Sequence, residues 1–308
     1  MHVNSDPLSG FCYCTVSETD EKGNHGLIWT RCTLFNEEEE DAIQEAGRIL
    51  DRFFINVERM NAVIEAYQEF INDLHSLNSG GRDEIARLDR RFRAYVMEWR
   101  LFLDHWKKYI EDGAQTEGWS ENEKNEYIEA FKKLYDTVTK AAYESSQEYV
   151  VANAIRNHVV HANNSIYHAH VGVDGNQACI SRDALLNDHH ISASQREIVE
   201  KLDEQIDLEW VADGSLKAMQ EVNEAFIRYQ IDSDVITATV ALVGAYERIR
   251  KEKIDAPMWM FISSSTKKKD GKINLSYQQF DFGRYVRLAV YLSKVMNTVK
   301  KEGDSKNA

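Results

Sequence analysis

Over most of this chain, apolar residues recur at steps of three and four. The period shortens to two near the ends and once in the middle. From Ile43 the apolar positions run Leu50, Phe53, Phe54, Val57, Met60, Ile64, Tyr67, Ile71, Leu74 and Leu77. That spacing predicts one long amphipathic helix near 37–78. Asn36 stands before four Glu and an Asp. It is a capping residue followed by acids that suit the positive end of a helix dipole. Ser79-Gly80-Gly81 ends the stripe. A second one, Ile85, Leu88, Phe92, Val96, Trp99, Leu103, Trp106 and Ile110, predicts a helix near 82–112 that Gly113 stops. Trp99 and Trp106 lie seven apart on its apolar face and read as core. Ser120 and Glu123 have capping-box spacing. They open a third helix, read near 121–163 through Phe131, Val138, Ala142, Val150 and Ile155.

The period-two stretches read as hairpins. Phe11 to Val16 and Leu27 to Phe35 flank the polar loop SETDEKGNHG. Tyr167, Ala169, Val171 and Val173 alternate with His168 and His170, and Asp174-Gly175 is a turn signal before Ala178 to Ile180. Ser192 and Gln195 repeat the capping-box spacing and open a short helix to about Gln205. Leu216 to Ile249 is a long helical pattern with a bend near Gln230 to Asp234. Met258 to Ile262 and Ile273 to Tyr277 bracket a KKKDGK turn, and Tyr285 to Val299 is a closing helix. The expected fold is mainly α: an antiparallel up-and-down helical bundle with inserted β-hairpins near 165–181 and 258–278. Residues 1–35 form an N-terminal β-hairpin extension, 36–302 a single helical domain, and 303–308 a disordered tail.

Composition narrows the classes. Asp plus Glu number 51 against 37 Lys plus Arg, a net charge of −14, which argues against a broad nucleic-acid-coating surface. It leaves room for a local cationic cleft. Hydrophobic residues make up 43%, enough for a sizeable core. Cys12, Cys14, Cys32 and Cys179 form no C-x-x-C pair and read as free thiols of a reducing compartment. No apolar run reaches the length of a membrane span, and the N-terminus lacks a signal-peptide apolar region. A cytoplasmic protein is expected.

The candidate chemistry lies in AIRNHVVHANN, Ala154 to Asn164. Arg156 offers a fixed charge with a planar donor fork, and His161 a proton carrier that works near neutral pH. Asn157 and His161 are four apart and share a helix face. Arg156 and His161 are about 140° apart at about 100° per residue, so one helix does not converge them. RNHVVH resembles the R-x4–6-H signature of the HEPN superfamily, whose members often carry a polar residue after the Arg. The family fold is an up-and-down helical bundle. The resemblance implies a metal-independent endoribonuclease cleaving single-stranded RNA or tRNA, as a toxin or anti-phage defence effector. It also implies a homodimer whose motif residues meet in a cleft. By that resemblance His161 is the acid–base group, Arg156 stabilises the scissile phosphate, and Asn157 orients His161. Family members with a target-modifying partner carry a Tyr two positions after the His; here Asn163 stands there. An inhibitory antitoxin or a defence-system protein is the expected partner, with no membrane, cofactor or metal. The alternative is a catalytically inactive HEPN-like protein that binds a partner.

Rival constellations are weaker on paper. Arg100 and His105 share the spacing, but apolar Leu101 follows the Arg. Arg182, Asp183 and His189 form an R-x6-H rival beside a strand end. His158, His161, His168, His170, His189 and His190 gather within a short span, but no Cys pair or H-E-x-x-H supports a metal site. Lys267-Lys268-Lys269 reads as a solvated turn.

Overall fold

The computed structural model describes residues 10–16, 27–113, 120–162, 168–172, 175–231, 233–254, 256, 258–267 and 273–293. It is mainly helical with two small antiparallel sheets. The loop 17–26, Asp174, the turn lysines 268 and 269, Asn163-Asn164, the helix residues expected beyond 293 and the tail 303–308 lie outside the described residues. The chain divides into two compact units, 1–54 with 228–308 and 55–227.

In the first unit, strands β1 (Gly10–Val16), β2 (Leu27–Arg31), β6 (Met258–Lys267) and β7 (Ile273–Phe280) form one sheet in the order β2-β1-β6-β7. The two hairpins read from the sequence thus share a sheet, through antiparallel pairing of β1 with β6. Alternation sorts the faces. Phe11 packs its ring against Trp259, Phe280 and Phe282 at 5.5, 5.1 and 5.7 Å. Cys12 turns the other way, into a cluster with Met260 and Ile262. All four cysteines are buried free thiols. Desolvation pushes the Cys12 thiol up to about 11.

Helix α1 (Glu37–His75) begins as the acids and Asn36 suggest. The Glu39 amide donates to Asn36 Oδ1, and the Asn36 amide donates back to Glu39 Oε2, both at 2.9 Å. Buried Glu40 takes both arms of the Arg31 guanidinium, one at 2.7 Å. Arg248 of α8 (Ser233–Lys251) reaches Glu39 at 2.6 Å. A further helical run, 282–293, places Tyr285 to donate to Asp51 at 3.0 Å.

The second unit holds α2 (Arg82–Gly113), α3 (Glu121–Ser145), α4 (Gln147–Ala162), α5 (Arg182–Leu186) and α6 (Ala193–Val199). It also holds β3 (His168–Gly172), β4 (Gly175–Ser181), β5 (Gln205–Asp207) and most of α7 (Leu208–Gln230). The central hairpin gains β5 as a third strand beside β4. Gly80 takes φ +63° in the break after α1, and Gly175 takes φ +122° as β4 begins. Both are conformations that glycine adopts freely. From β4, the Asn176 side-chain amide caps the end of α1 by donating to the Leu74, His75 and Leu77 carbonyls. Trp99 and Trp106 are buried, as their spacing predicts, and Trp106 packs on Phe226 at 5.1 Å.

The helix read as one piece over 121–163 is two. Ser146 ends α3, and its hydroxyl accepts from the Tyr149 amide at 3.1 Å, so it also caps α4. A serine that bonds its own backbone in this way competes with the helical ladder. The later pattern is also two helices, α7 from Leu208 and α8 from Ser233, broken where the bend was read.

Gly214 lets α7 pack tightly on the start of α4. A Cβ there would meet Glu148 Cγ, Cδ and Cβ at 2.3, 2.5 and 2.6 Å. Glu148 Cβ is fixed to its backbone and cannot swing aside. Gly214→Ala should therefore destabilise: overpacking costs about 1–3 kcal/mol, against about 1 kcal/mol gained in helix propensity. The expected result is a lower Tm in thermal melts; a raised Tm would show that α4 and α7 have room to spare.

Candidate functional site

Helix α4 carries Arg156, Asn157 and His161. Arg156 and Asn157 are both half-buried and bonded to each other, Arg156 Nη1 donating to Asn157 Oδ1 at 3.0 Å. Arg156 Nε is buried and has no hydrogen-bond partner among the described residues. Burial first, and then the Arg100 cation, lower the Arg156 pKa, while Asp104 opposes them. Arg100 and Asp104 belong to α2 and pair across one turn, at 2.9 and 3.1 Å. The Arg100 cation and the Asp104 carboxylate thus both act electrostatically on Arg156. A guanidinium such as Arg156 suits an oxyanion, because Arg donates in a planar fork and stays charged.

His161 lies in α4, one turn beyond Asn157, and its side chain is outside the described residues. The expected orienting of His161 by Asn157 lies outside the described residues; Asn157 Oδ1 accepts from Arg156. Of the rivals, Arg100 is committed to Asp104. Arg182 donates to the Leu202 carbonyl at 2.9 Å, binding α5 to the loop before β5.

A second constellation lies on the buried face of α4, and the sequence reading did not contain its central residue. His158 is 4% exposed, and its Nδ1 lies 2.8 Å from Oδ2 of Asp188, itself 8% exposed. The other oxygen, Oδ1, receives the His190 amide at 2.8 Å and lies 3.0 Å from His190 Nδ1. Arg196 of α6 donates to the carbonyls of Leu186 and Asp188, fixing the turn from behind. Burial works to raise the Asp188 pKa. The His190 amide and the two imidazoles outweigh it and hold the carboxyl at about 2. An ionised carboxylate only accepts, so both Nδ1 atoms are donors here.

Asp188-His189-His190 is contiguous in sequence and follows a short helix, a signal that marks a turn. Its pairing with His158, 30 residues away, is set by the packing of α4. Lys107, Ile110 and Glu111 of α2 and Ile128, Phe131, Lys132, Tyr135 and Asp136 of α3 line a cleft of about 240 Å³. Lys107 lies 4.3 Å over the Tyr135 ring at its edge. No described helix is long and apolar enough to cross a membrane. Comparison of the chain with protein families, with curated proteins and with solved structures finds no match.

The acid side of the stability profile follows from Asp188. Its pKa is depressed to about 2 in the fold, against about 3.9 for an unperturbed Asp. The stabilisation is therefore present above about pH 4 and is lost as pH falls through the folded value. Thermal melts of the wild type and Asp188→Asn should converge on acidification from about pH 5 towards about pH 2. A gap that stays constant would mean that the carboxylate's charge does not matter.

Proposed function

We propose that this chain is a HEPN-type endoribonuclease, metal-independent in its cleavage step and built on an up-and-down helical bundle. It acts on single-stranded RNA or tRNA as a cytoplasmic toxin or anti-phage defence effector, held in check by an antitoxin or a defence-system partner. The observation that carries the reading is the Arg156–Asn157 pair on α4, with Arg100 adding positive charge beside it and His161 one turn further on. RNA brings its own nucleophile, the 2′-hydroxyl. A ribonuclease then needs a proton acceptor and a charge clamp.

In this mechanism His161 takes the 2′-hydroxyl proton and returns a proton to the leaving 5′-oxygen. The attack forms a 2′,3′-cyclic phosphate and breaks the P–O5′ bond. Arg156 binds the non-bridging phosphate oxygens, whose charge rises in the transition state. Asn157 holds the Arg156 fork in place. Because Arg156 and His161 diverge around the helix, the cleft is composite: Arg156 of one copy meets His161 of another in a homodimer.

Acid–base catalysis by one group is worth about 10²–10⁴ in rate, and a lost charge stabiliser costs about 10²–10³. His161→Ala and Arg156→Ala should each abolish detectable RNA cleavage while circular dichroism stays helical. Asn157→Ala should weaken it less. His105→Ala and His189→Ala should be near neutral. Products should end in a 2′,3′-cyclic phosphate, and EDTA should not inhibit. Cleavage surviving His161→Ala would sink the assignment. RNA bound but never cut would favour the inactive binding protein, with Arg156 serving as a phosphate clamp alone.

A further inference from the structure

The turn between α5 and α6 brings three metal-binding side chains together. Asp188, His189 and His190 each offer a ligand atom, and the three atoms lie within 4.8 Å of one another. The Ile191 amide donates to the Asp188 carbonyl at 3.4 Å, so the histidines occupy the two central positions of a turn. Their rings lie side by side, with centroids 3.8 Å apart. Both are exposed, whereas the carboxylate beneath them is buried.

We propose that Asp188, His189 and His190 bind a divalent first-row transition ion of the zinc type, through residues that the cleavage mechanism does not use. Two imidazoles and one carboxylate are a donor set that zinc takes, at about 2.0–2.2 Å from each atom. Tetrahedral bonds of that length place neighbouring ligand atoms about 3.3 Å apart. Asp188 Oδ1 and His190 Nδ1 are already 3.0 Å apart. The ion replaces the proton between them, and that proton leaves to solvent, so binding weakens as pH falls. Exposed His189 closes on the ion by a side-chain rotation.

The surroundings support the carboxylate in this role. His158 continues to donate to Oδ2, and the His190 amide to Oδ1. Arg196 keeps the turn closed through the Leu186 and Asp188 carbonyls. Such outer partners orient metal ligands, and losing one costs about 10–100-fold in affinity. Three protein donors leave one position for water. The bound ion ties the turn before α6 to α4, because Asp188 is already bonded to His158. This goes beyond the cleavage mechanism, which uses none of these residues.

The test is Co²⁺ titration of the full chain, tag-free and dialysed against chelator, followed by visible absorption. One equivalent should saturate and give the intense bands of a four-coordinate site. Excess Zn²⁺ should abolish them. His189→Ala and His190→Ala should each weaken binding at least tenfold. His189→Ala, at an exposed position with no described bond to Asp188, should do so without lowering the metal-free Tm, whereas His190→Ala also removes a donor to Asp188. His168→Ala, on the separate strand β3, should bind like the wild type. Weak absorption like that of aqueous Co²⁺, or unchanged binding in both turn variants, would overturn the proposal. So would loss of binding in His168→Ala. RNA cleavage assayed on the same metal-free protein reports on the other site independently.

Discussion

A carboxylate taken out of water must be matched by donors, and the 55–227 unit is arranged around one such match. Asp188 is nearly buried and takes hydrogen bonds from His158, His190 and the His190 amide. Removing a donor from a buried acceptor costs about 1–3 kcal/mol, and more when the acceptor is charged. That cost fixes the turn 187–191 against α4 and sets how α4 is rotated. Once His158 points inward, Arg156 and Asn157 must point elsewhere, because helix geometry leaves no freedom once one residue is fixed. The face that carries Arg156 and Asn157 is thus determined from the buried side.

Two local devices make that rotation reachable. The first is Ser146, which ends α3 and restarts the chain as α4, so the two helices need not share one axis. A single continuous helix would have carried the stripe of Phe131 and Tyr135 straight into Arg156. The second is Gly214, where the absence of a side chain admits Glu148 from the first turn of α4. Glu148 in turn accepts from the Ser146 hydroxyl at 2.9 Å. The break, the close approach and the buried pair therefore act on one helix at successive points along it.

The parts legible in the sequence are those specified locally. The stripes of α1 and α2, the Asn36 cap and the boxes at Ser120 and Ser192 depend on residues within a few positions of one another. Each is found as read. Both later hairpins are also present, since turn and alternation are local too. Long-range pairing was not legible. Nothing in Phe11 to Val16 says that β1 pairs with β6 as well as β2, because an edge offers the same backbone groups to any strand. Ser146 was hidden for a different reason: apolar spacing continues across it, and a cap inside a periodic run looks like an ordinary polar position.

The candidate site divides along the same line. Arg156, Asn157 and His161 are a local string, so the sequence could name them, but it could not say that Asn157 would accept a hydrogen bond from Arg156. Arg100 acts on Arg156 only through the packing of α2 on α4, and Asp188 joins His158 only through the folded turn. This matters for a chain of net charge −14. An acidic surface repels RNA at long range, so a phosphate is held only where cations outnumber the carboxylates locally. Asp104 is the one carboxylate acting on Arg156 among its described electrostatic neighbours, and Arg100 already neutralises it. What remains is the charge of Arg156, set in partly desolvated surroundings where water screens it less. In the proposed ribonuclease, recognition would depend on that one short-range clamp, which favours a substrate delivered by shape over one drawn in by charge.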